Sequence, residues 1–203
     1  MTMDFKEEIL AYYEREKKAI DSLNKEELNA AMNALLDAYE RGATVYVFGN
    51  GGSSATASHM VCDFNKGTCF ELEKKFKFVC LNDNVPLMMA ISNDYSFENI
   101  FEYQLKDRLT KDDVVLAISG SGNSHNVIKA VEYAKEIGAT IIGMTGYSGG
   151  KLKGFADYHL HAPIDDMQIV EDIHMSFDHM IMQIFWRYLA AKNGKEAIYK
   201  INQ

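Results

Sequence analysis

The stretch that decides the fold is 45–64, VYVFGNGGSSATASHMVCDF. It begins with an uninterrupted apolar run, the mark of a strand covered on both faces. The run breaks into Gly49-Asn50-Gly51-Gly52-Ser53-Ser54, and a helix-like segment carrying His59 and Asp63 follows. A second stretch, 114–131, VVLAISGSGNSHNVIKAV, repeats that order of apolar run, Gly/Ser turn and helical pattern. Strand, turn and helix, repeated, is the unit of a parallel α/β sheet.

Working outward, strands are predicted at 44–49, 77–81, 113–119, 140–145 and 158–162. Helical patterns fill the intervals at 54–65, 86–109 (broken near Asn93) and 124–137, with a turn around 150–155 and a long final helix over about 166–192. Ahead of the first strand, two amphipathic helices occupy 1–42. The first carries Phe5, Ile9, Tyr12 or Tyr13, and Ile20 near one face. The second starts at an Asn24 cap and closes on Gly42, a residue suited to the left-handed position after a helix. Such a hairpin often packs against another subunit. With only two prolines and no obvious linker, 1–203 reads as one doubly wound five-stranded α/β domain, an α/β core over 43–203 behind an N-terminal helical extension.

Composition narrows the functional classes. The net charge is −8, with no basic cluster, so nucleic acid is not an expected partner. No apolar run approaches the roughly 20 residues that a membrane span needs. The start, MTMDFKEEIL, is acidic and lacks a signal peptide's basic and apolar regions. Cys62, Cys69 and Cys80 show no CxxC spacing, which fits reduced thiols and a cytoplasmic protein.

Open α/β sheets bind ligands beyond the carboxyl ends of their strands, where both Gly/Ser turns fall. Glycine lets a ligand approach backbone N–H groups, and the next helix presents unpaired N–H groups with partial positive charge. Ser119, Ser121 and Ser124 surround Gly120 and Gly122 with more hydroxyls than a turn needs. Such turns suit a phosphoryl group. A Walker A loop would need a Lys that neither turn has. The dinucleotide fingerprint would need a third Gly where Ser54 stands. A small phosphorylated molecule is therefore expected, rather than a nucleotide.

His59 and Asp63, four apart, share one face of the helix after the first turn. Glu171, Asp172, His174, Asp178 and His179 lie along the final helix. Imidazoles and carboxylates in this mix suit a divalent ion, zinc being the usual choice. Residues 172 and 179 are nearly aligned on an ideal helix, whereas 171 and 179 are about 80° apart. Spacing alone nominates Asp172.

The segments FGNGGSSATASHMVCDF, AISNDYSFENIF, AISGSGNSHNVIKAVEYAKEIGATIIGMTG and VEDIHMSFDHMI together resemble the sugar isomerase (SIS) domain family, and within it the phosphoheptose isomerases. The resemblance covers nearly the whole chain. It implies a five-stranded parallel sheet, a homotetramer with sites at subunit boundaries, and interconversion of sedoheptulose 7-phosphate with D-glycero-D-manno-heptose 7-phosphate. It further implies that His59, Asp63, Glu171 and His179 surround the reacting carbons and bind zinc. Asn50, Gly51, Gly52, Ser53, Asn93, Asp94, Ser119, Gly120, Ser121 and Ser124 are implied to hold the phosphosugar, together with Asp63 and Glu171. Asp63 or Glu171 is the implied base and His179 the acid, while His59 positions or binds metal. His125, His159 and His161 are read as structural or surface residues.

Two positions depart from the family pattern: Asp63 where Glu is usual, and Glu171 where Gln is usual. Asp63 falls short of the usual reach by roughly 1.5 Å. A misplacement of that order can cost about 100-fold if it moves a base. The departures keep two alternatives open: a non-catalytic SIS protein that binds a phosphosugar or a replication initiator, or an isomerase of a different phosphosugar.

Overall fold

The apolar runs form a single parallel sheet in the computed structural model, which describes residues 2–196. Its strands are β1 (Thr44–Gly49), β2 (Lys77–Cys80), β3 (Val114–Ser119), β4 (Thr140–Thr145) and β5 (Tyr158–His161), in the spatial order β2-β1-β3-β4-β5. Each lies within one residue of its predicted bounds. β3 is central, and all six of its residues are buried. Its neighbours are in register from Val45↔Val114 to Gly49↔Ile118 on one side and from Val114↔Thr140 to Ser119↔Thr145 on the other.

The helices are α1 (Lys6–Asp21), α2 (Lys25–Arg41), α3 (Gly52–Cys62), α4 (Val85–Asp94), α5 (Glu102–Leu105), α6 (His125–Ile137), α7 (Gly150–Phe155) and α8 (Met167–Lys192). Strand alternation divides them between two cores. Val45, Val47, Val114, Leu116 and Ile118 face α2, α3 and α8, where Leu35, Met60, Ile173 and Phe177 close the layer. Tyr46, Phe48, Val115 and Ala117 face α4 to α7, against Phe101, Leu105, Val127, Val131 and Leu152. Each large side chain so buried contributes about 1.5–3 kcal/mol, so the sheet and its two layers dominate the stability.

α1 is attached differently. The residue it buries fully is Ala19, and it joins α8 through a Tyr12 hydroxyl that donates to Asp172 and an Arg15–Asp166 ion pair of 2.7 Å. Phe5, Ile9, Leu10, Tyr13 and Ile20 are left exposed. α2 begins and ends as its sequence implied. The Asn24 side chain accepts from the Glu26 and Glu27 N–H groups, and Gly42 takes φ +71°.

Two local features differ from the sequence reading. α3 starts two residues early, at Gly52, and stops at Cys62. The chain then continues as a π-helical turn, Asp63–Gly67, in which the Thr68 N–H donates to the Asp63 carbonyl at 2.7 Å. The 86–109 segment is broken next to Asn93, as expected, into α4, a 3₁₀ turn at Phe97–Asn99 and α5. Cys62, Cys69 and Cys80 are unpaired thiols. Among the described residues, no helix is long and apolar enough to cross a membrane.

Candidate functional site

The order β2-β1-β3 places the ends of β1 and β3 side by side, with the connections leaving to opposite faces. That is the switch point where open α/β sheets leave a crevice. The two turns of the sequence analysis therefore stand together. A reciprocal amide pair joins them: Asn50 Nδ2 donates to Asn126 Oδ1 and Asn126 Nδ2 to Asn50 Oδ1, both at 2.8 Å.

The β3–α6 turn is tightly built. Gly122 takes φ +65°, and a methyl group there would overlap the Gly149 carbonyl. The Gly122 carbonyl accepts from the Leu152 N–H at 2.9 Å, and Asn123 Oδ1 accepts from the Lys151 N–H at 3.1 Å. Gly120 is pressed against Met167, the first residue of α8. Within this frame the Ser119 and Ser124 hydroxyls lie 3.2 Å apart. Ser124 occupies the N-cap of α6 without making a side-chain cap bond, so its hydroxyl is available at a positive helix end. Ser121 is half-buried in the same loop.

The β1–α3 turn is opener. Gly51 takes φ +55°, a methyl group added there would meet nothing within 4 Å, and the residue provides no side-chain cap for α3. Gly52 lies directly beneath the Glu171 carboxylate, which a methyl group there would overlap. Ser53 is buried against Gly49. Asn93 and Asp94 end α4, exposed, and Asn93 Nδ2 donates to Asp94 Oδ1 at 2.8 Å. The 3₁₀ turn after them reaches the start of α6 through Glu98 and His125, 3.5 Å apart.

A second constellation lies further along α3 and α8. His59 Nε2 and His179 Nε2 are 3.2 Å apart, and Asp63 Oδ2 is 3.5 Å from the first and 3.9 Å from the second. The Asp178 carboxylate joins them, all four ligand atoms falling within 4.8 Å of one another. Asp178 is fully buried, and neither of its oxygens has a hydrogen-bond partner. Burial first, and the charge of Asp63 second, push its carboxyl up to about 8. Around a small tetrahedral divalent ion with metal–nitrogen bonds of about 2.0–2.1 Å, ligand atoms sit about 3.3 Å apart. The nitrogen and oxygen donors and their spacing fit such an ion. Beyond His179 the surface opens as a shallow groove lined by Asp172, Met175, Ser176, Met180 and Gln183.

The structure thus brings His59, Asp63 and His179 together, but not Glu171. From Gly52, where Glu171 sits, to His59 is two helical turns, about 10 Å. Glu171 and His179 are separated by about 12 Å along α8, and Glu171 is not among the residues whose ligand atoms converge. Asp172, the choice of spacing alone, is engaged by Tyr12 on the outside of α8. His174 is buried, with Nε2 bonded to the Thr145 carbonyl at 3.1 Å, and burial pushes its imidazole down to about 4. His161 Nδ1 is likewise bonded to Thr145 Oγ1 at 2.9 Å. Sequence reasoning missed the role of Asn126, and it named Asp178 without singling it out. The available signal for Asp178 was its seven-residue spacing from Glu171, which puts both near one face of α8.

The comparisons with known proteins bear on the family and the fold. The SIS domain matches residues 8–146, and the chain belongs to that family. It is 34% identical over 187 residues to the phosphoheptose isomerase of Helicobacter pylori, covering 92% of this chain and 96% of that protein. It is 38% identical over 170 residues to a probable phosphoheptose isomerase of Thermoplasma acidophilum, covering 84% and 93%. A solved phosphoheptose isomerase from Francisella tularensis superposes with a TM-score of 0.83 at 29% identity, over 91% of this chain and all of that one. Within the SIS family, the chain falls in the phosphoheptose isomerase branch.

Proposed function

We propose that this chain is an aldose–ketose isomerase that interconverts sedoheptulose 7-phosphate and D-glycero-D-manno-heptose 7-phosphate. The observation that carries the reading is the convergence of His59, Asp63 and His179 two turns along the helix that begins at the phosphate-type turns. Two turns span about 10 Å. An extended seven-carbon chain with a terminal phosphate is of roughly that length, at about 1.5 Å per bond. The phosphate end belongs at the β1 and β3 turns. There Ser119, Ser121 and Ser124 offer hydroxyls, and the N-termini of α3 and α6 offer backbone donors around Asn50, Gly51, Gly52, Ser53 and Gly120. Glu171, over Gly52, together with Asn93 and Asp94, accepts hydrogen bonds from the middle hydroxyls. The carbonyl end reaches the imidazole cluster.

At that end the ketose loses a proton from C1, the electron pair forms the C1–C2 double bond of a cis-enediol, and a proton returns to C2. Asp63 is the base for the carbon-bound proton, the proton that passes between O1 and O2 exchanges with solvent, and His179 stands with His59 as a metal-binding imidazole rather than as the acid. A divalent ion held by His59 and His179, with zinc the best match to two imidazoles and carboxylate oxygen, would supply positive charge against the enediolate. The exposed apolar side of α1 (Phe5, Ile9, Leu10, Tyr13) supports packing against another copy of the chain, the number four resting on the family resemblance, and the unpaired cysteines fit a cytoplasmic location.

Incubation with sedoheptulose 7-phosphate in heavy water tests the proposal. Aldose formation with solvent deuterium at C2 is expected, abolished by His59→Ala with the fold unchanged. Neither aldose nor exchange, in protein supplied with zinc, manganese and cobalt in turn, would leave a binding protein as the reading.

A further inference from the structure

We infer that Asp178 is a ligand of the divalent ion, forming with His59 and His179 a two-histidine, one-carboxylate site that leaves Asp63 free for proton transfer. The inference rests on the proposed function only for the role of Asp63; the ligand set stands on geometry. Asp178 is 0% exposed, and both of its oxygens lack any hydrogen-bond partner. Buried carboxylates are normally paired, hydrogen-bonded or bound to metal, because desolvation without compensation is costly. Among the described residues, no lysine or arginine forms an ion pair with it. The side chains it approaches are His59, Asp63 and His179, and two of these present Nε2 atoms 3.2 Å apart. A second acid, Asp63, worsens the position of Asp178 unless positive charge stands between them. One divalent ion resolves all of this: it occupies both imidazole lone pairs and compensates the buried carboxylate.

The division of labour follows from exposure. Asp178 comes from the buried side of α8, where solvent and substrate cannot reach it. Asp63 keeps 15% of its side chain exposed at the start of the π turn, where a substrate carbon can approach. Two histidines and one carboxylate make a recurrent catalytic metal set, and that set leaves coordination positions open for substrate oxygens. With Asp63 as third ligand instead, the base would be consumed and Asp178 would remain uncompensated.

The test measures metal binding rather than turnover. Full-length apoprotein titrated with zinc is expected to bind one ion per chain and to gain melting temperature as binding to the folded state requires. Asp178→Asn, close in shape, is expected to weaken zinc at least about 100-fold, as loss of a ligand should exceed the 10–100-fold typical of its supporting partners. Asp178→Leu is expected to do the same. Asp63→Asn is expected to retain zinc within about tenfold while losing isomerisation. In a zinc-soaked wild-type crystal, the anomalous peak is expected within bonding distance of His59, His179 and Asp178. Wild-type zinc affinity in both Asp178 variants, or a peak with the Asp178 carboxylate turned away, overturns the inference, as does absence of zinc, manganese and cobalt binding. Asp178-dependent zinc binding without isomerisation of sedoheptulose 7-phosphate would sustain the site and remove the proposed reaction.

Discussion

The β3–α6 turn and the α3–α8 cluster are both polar, both beside the same crevice, and built on opposite terms. In the turn, Gly122, Asn123 and Gly120 are locked to neighbouring loops by backbone and side-chain bonds. In the cluster, two imidazoles face each other and a fully buried carboxylate has no partner. Buried polar groups in folded proteins are nearly always satisfied, and a carboxylate with both oxygens unpartnered is the costliest exception here. The turn is a finished frame with hydroxyls to offer. The cluster is a set of donors whose counter-charge comes from outside.

The strongest way to break this contrast is through the glycines of the two turns. Gly122→Ala combines a positive φ with overlap of the Gly149 backbone, and a loss of about 4 kcal/mol is expected. Gly51→Ala meets a comparable φ but open space, so about 2 kcal/mol is expected. Chemical denaturation of both variants decides the matter. Equal losses would mean that the β3–α6 loop is not locked against its neighbour.

Next in size is an acid response that belongs to the frame rather than to the site. His174 is 1% exposed, and its imidazole, held down to about 4, stays neutral when folded. The unfolded chain takes up that proton from about pH 6.5 downward. The sign follows: the depressed value contributes stability above pH 6.5, and this is lost as pH falls towards 4, amounting to about 3 kcal/mol. Denaturant midpoints measured across that interval should fall steeply in the native protein and less in His174→Gln, which keeps a donor for the Thr145 carbonyl. Parallel slopes in the two proteins would assign the acid sensitivity elsewhere.

A smaller effect concerns ligand capture. Ser124→Ala removes a hydroxyl that makes no cap bond and whose hydrogen-bond partner is Ser119, so the fold should be kept with a stability loss of about 1 kcal/mol. A hydrogen bond to a charged phosphate contributes about 1.5–3 kcal/mol, so KM for the phosphosugar should rise about tenfold or more with kcat unchanged. A fall in kcat with KM unchanged would move Ser124 from the phosphate end to the reacting end.

How much of this was legible in the sequence follows from range. The strands were readable because burial on both faces leaves continuous apolar runs, as in 114–119. The β1 turn and the His59–Asp63 pair were readable because both are local: a Gly/Ser break, then a four-residue helical spacing. Glu171 and Asp172 could not be separated by spacing, because the deciding facts are long-range: Tyr12 reaches Asp172 from α1, and Gly52 makes room for Glu171 from α3. Asp178 looked like one more acid on a charged helix until its burial was known. The π turn that begins at Asp63 has no local signature in DFNKG, yet it sets where that carboxylate stands beside both imidazoles.

The finest test addresses the seam between the two turns. Asn50 and Asn126 exchange two amide hydrogen bonds of 2.8 Å, the direct side-chain link between the β1 turn and the first turn of α6. Single replacement by alanine leaves the other amide, buried in Asn126 and half-buried in Asn50, without its partner, whereas double replacement removes both together. A double-mutant cycle on Asn50→Ala and Asn126→Ala should therefore show a coupling of about 1 kcal/mol in stability, with the double variant less harmed than the sum. The same cycle on phosphosugar affinity should show coupling too, since each amide fixes the turn that carries the other's ligand donors. Additive losses in both measurements would mean that the two turns reach the ligand independently, and that the switch-point crevice is held together by the sheet alone.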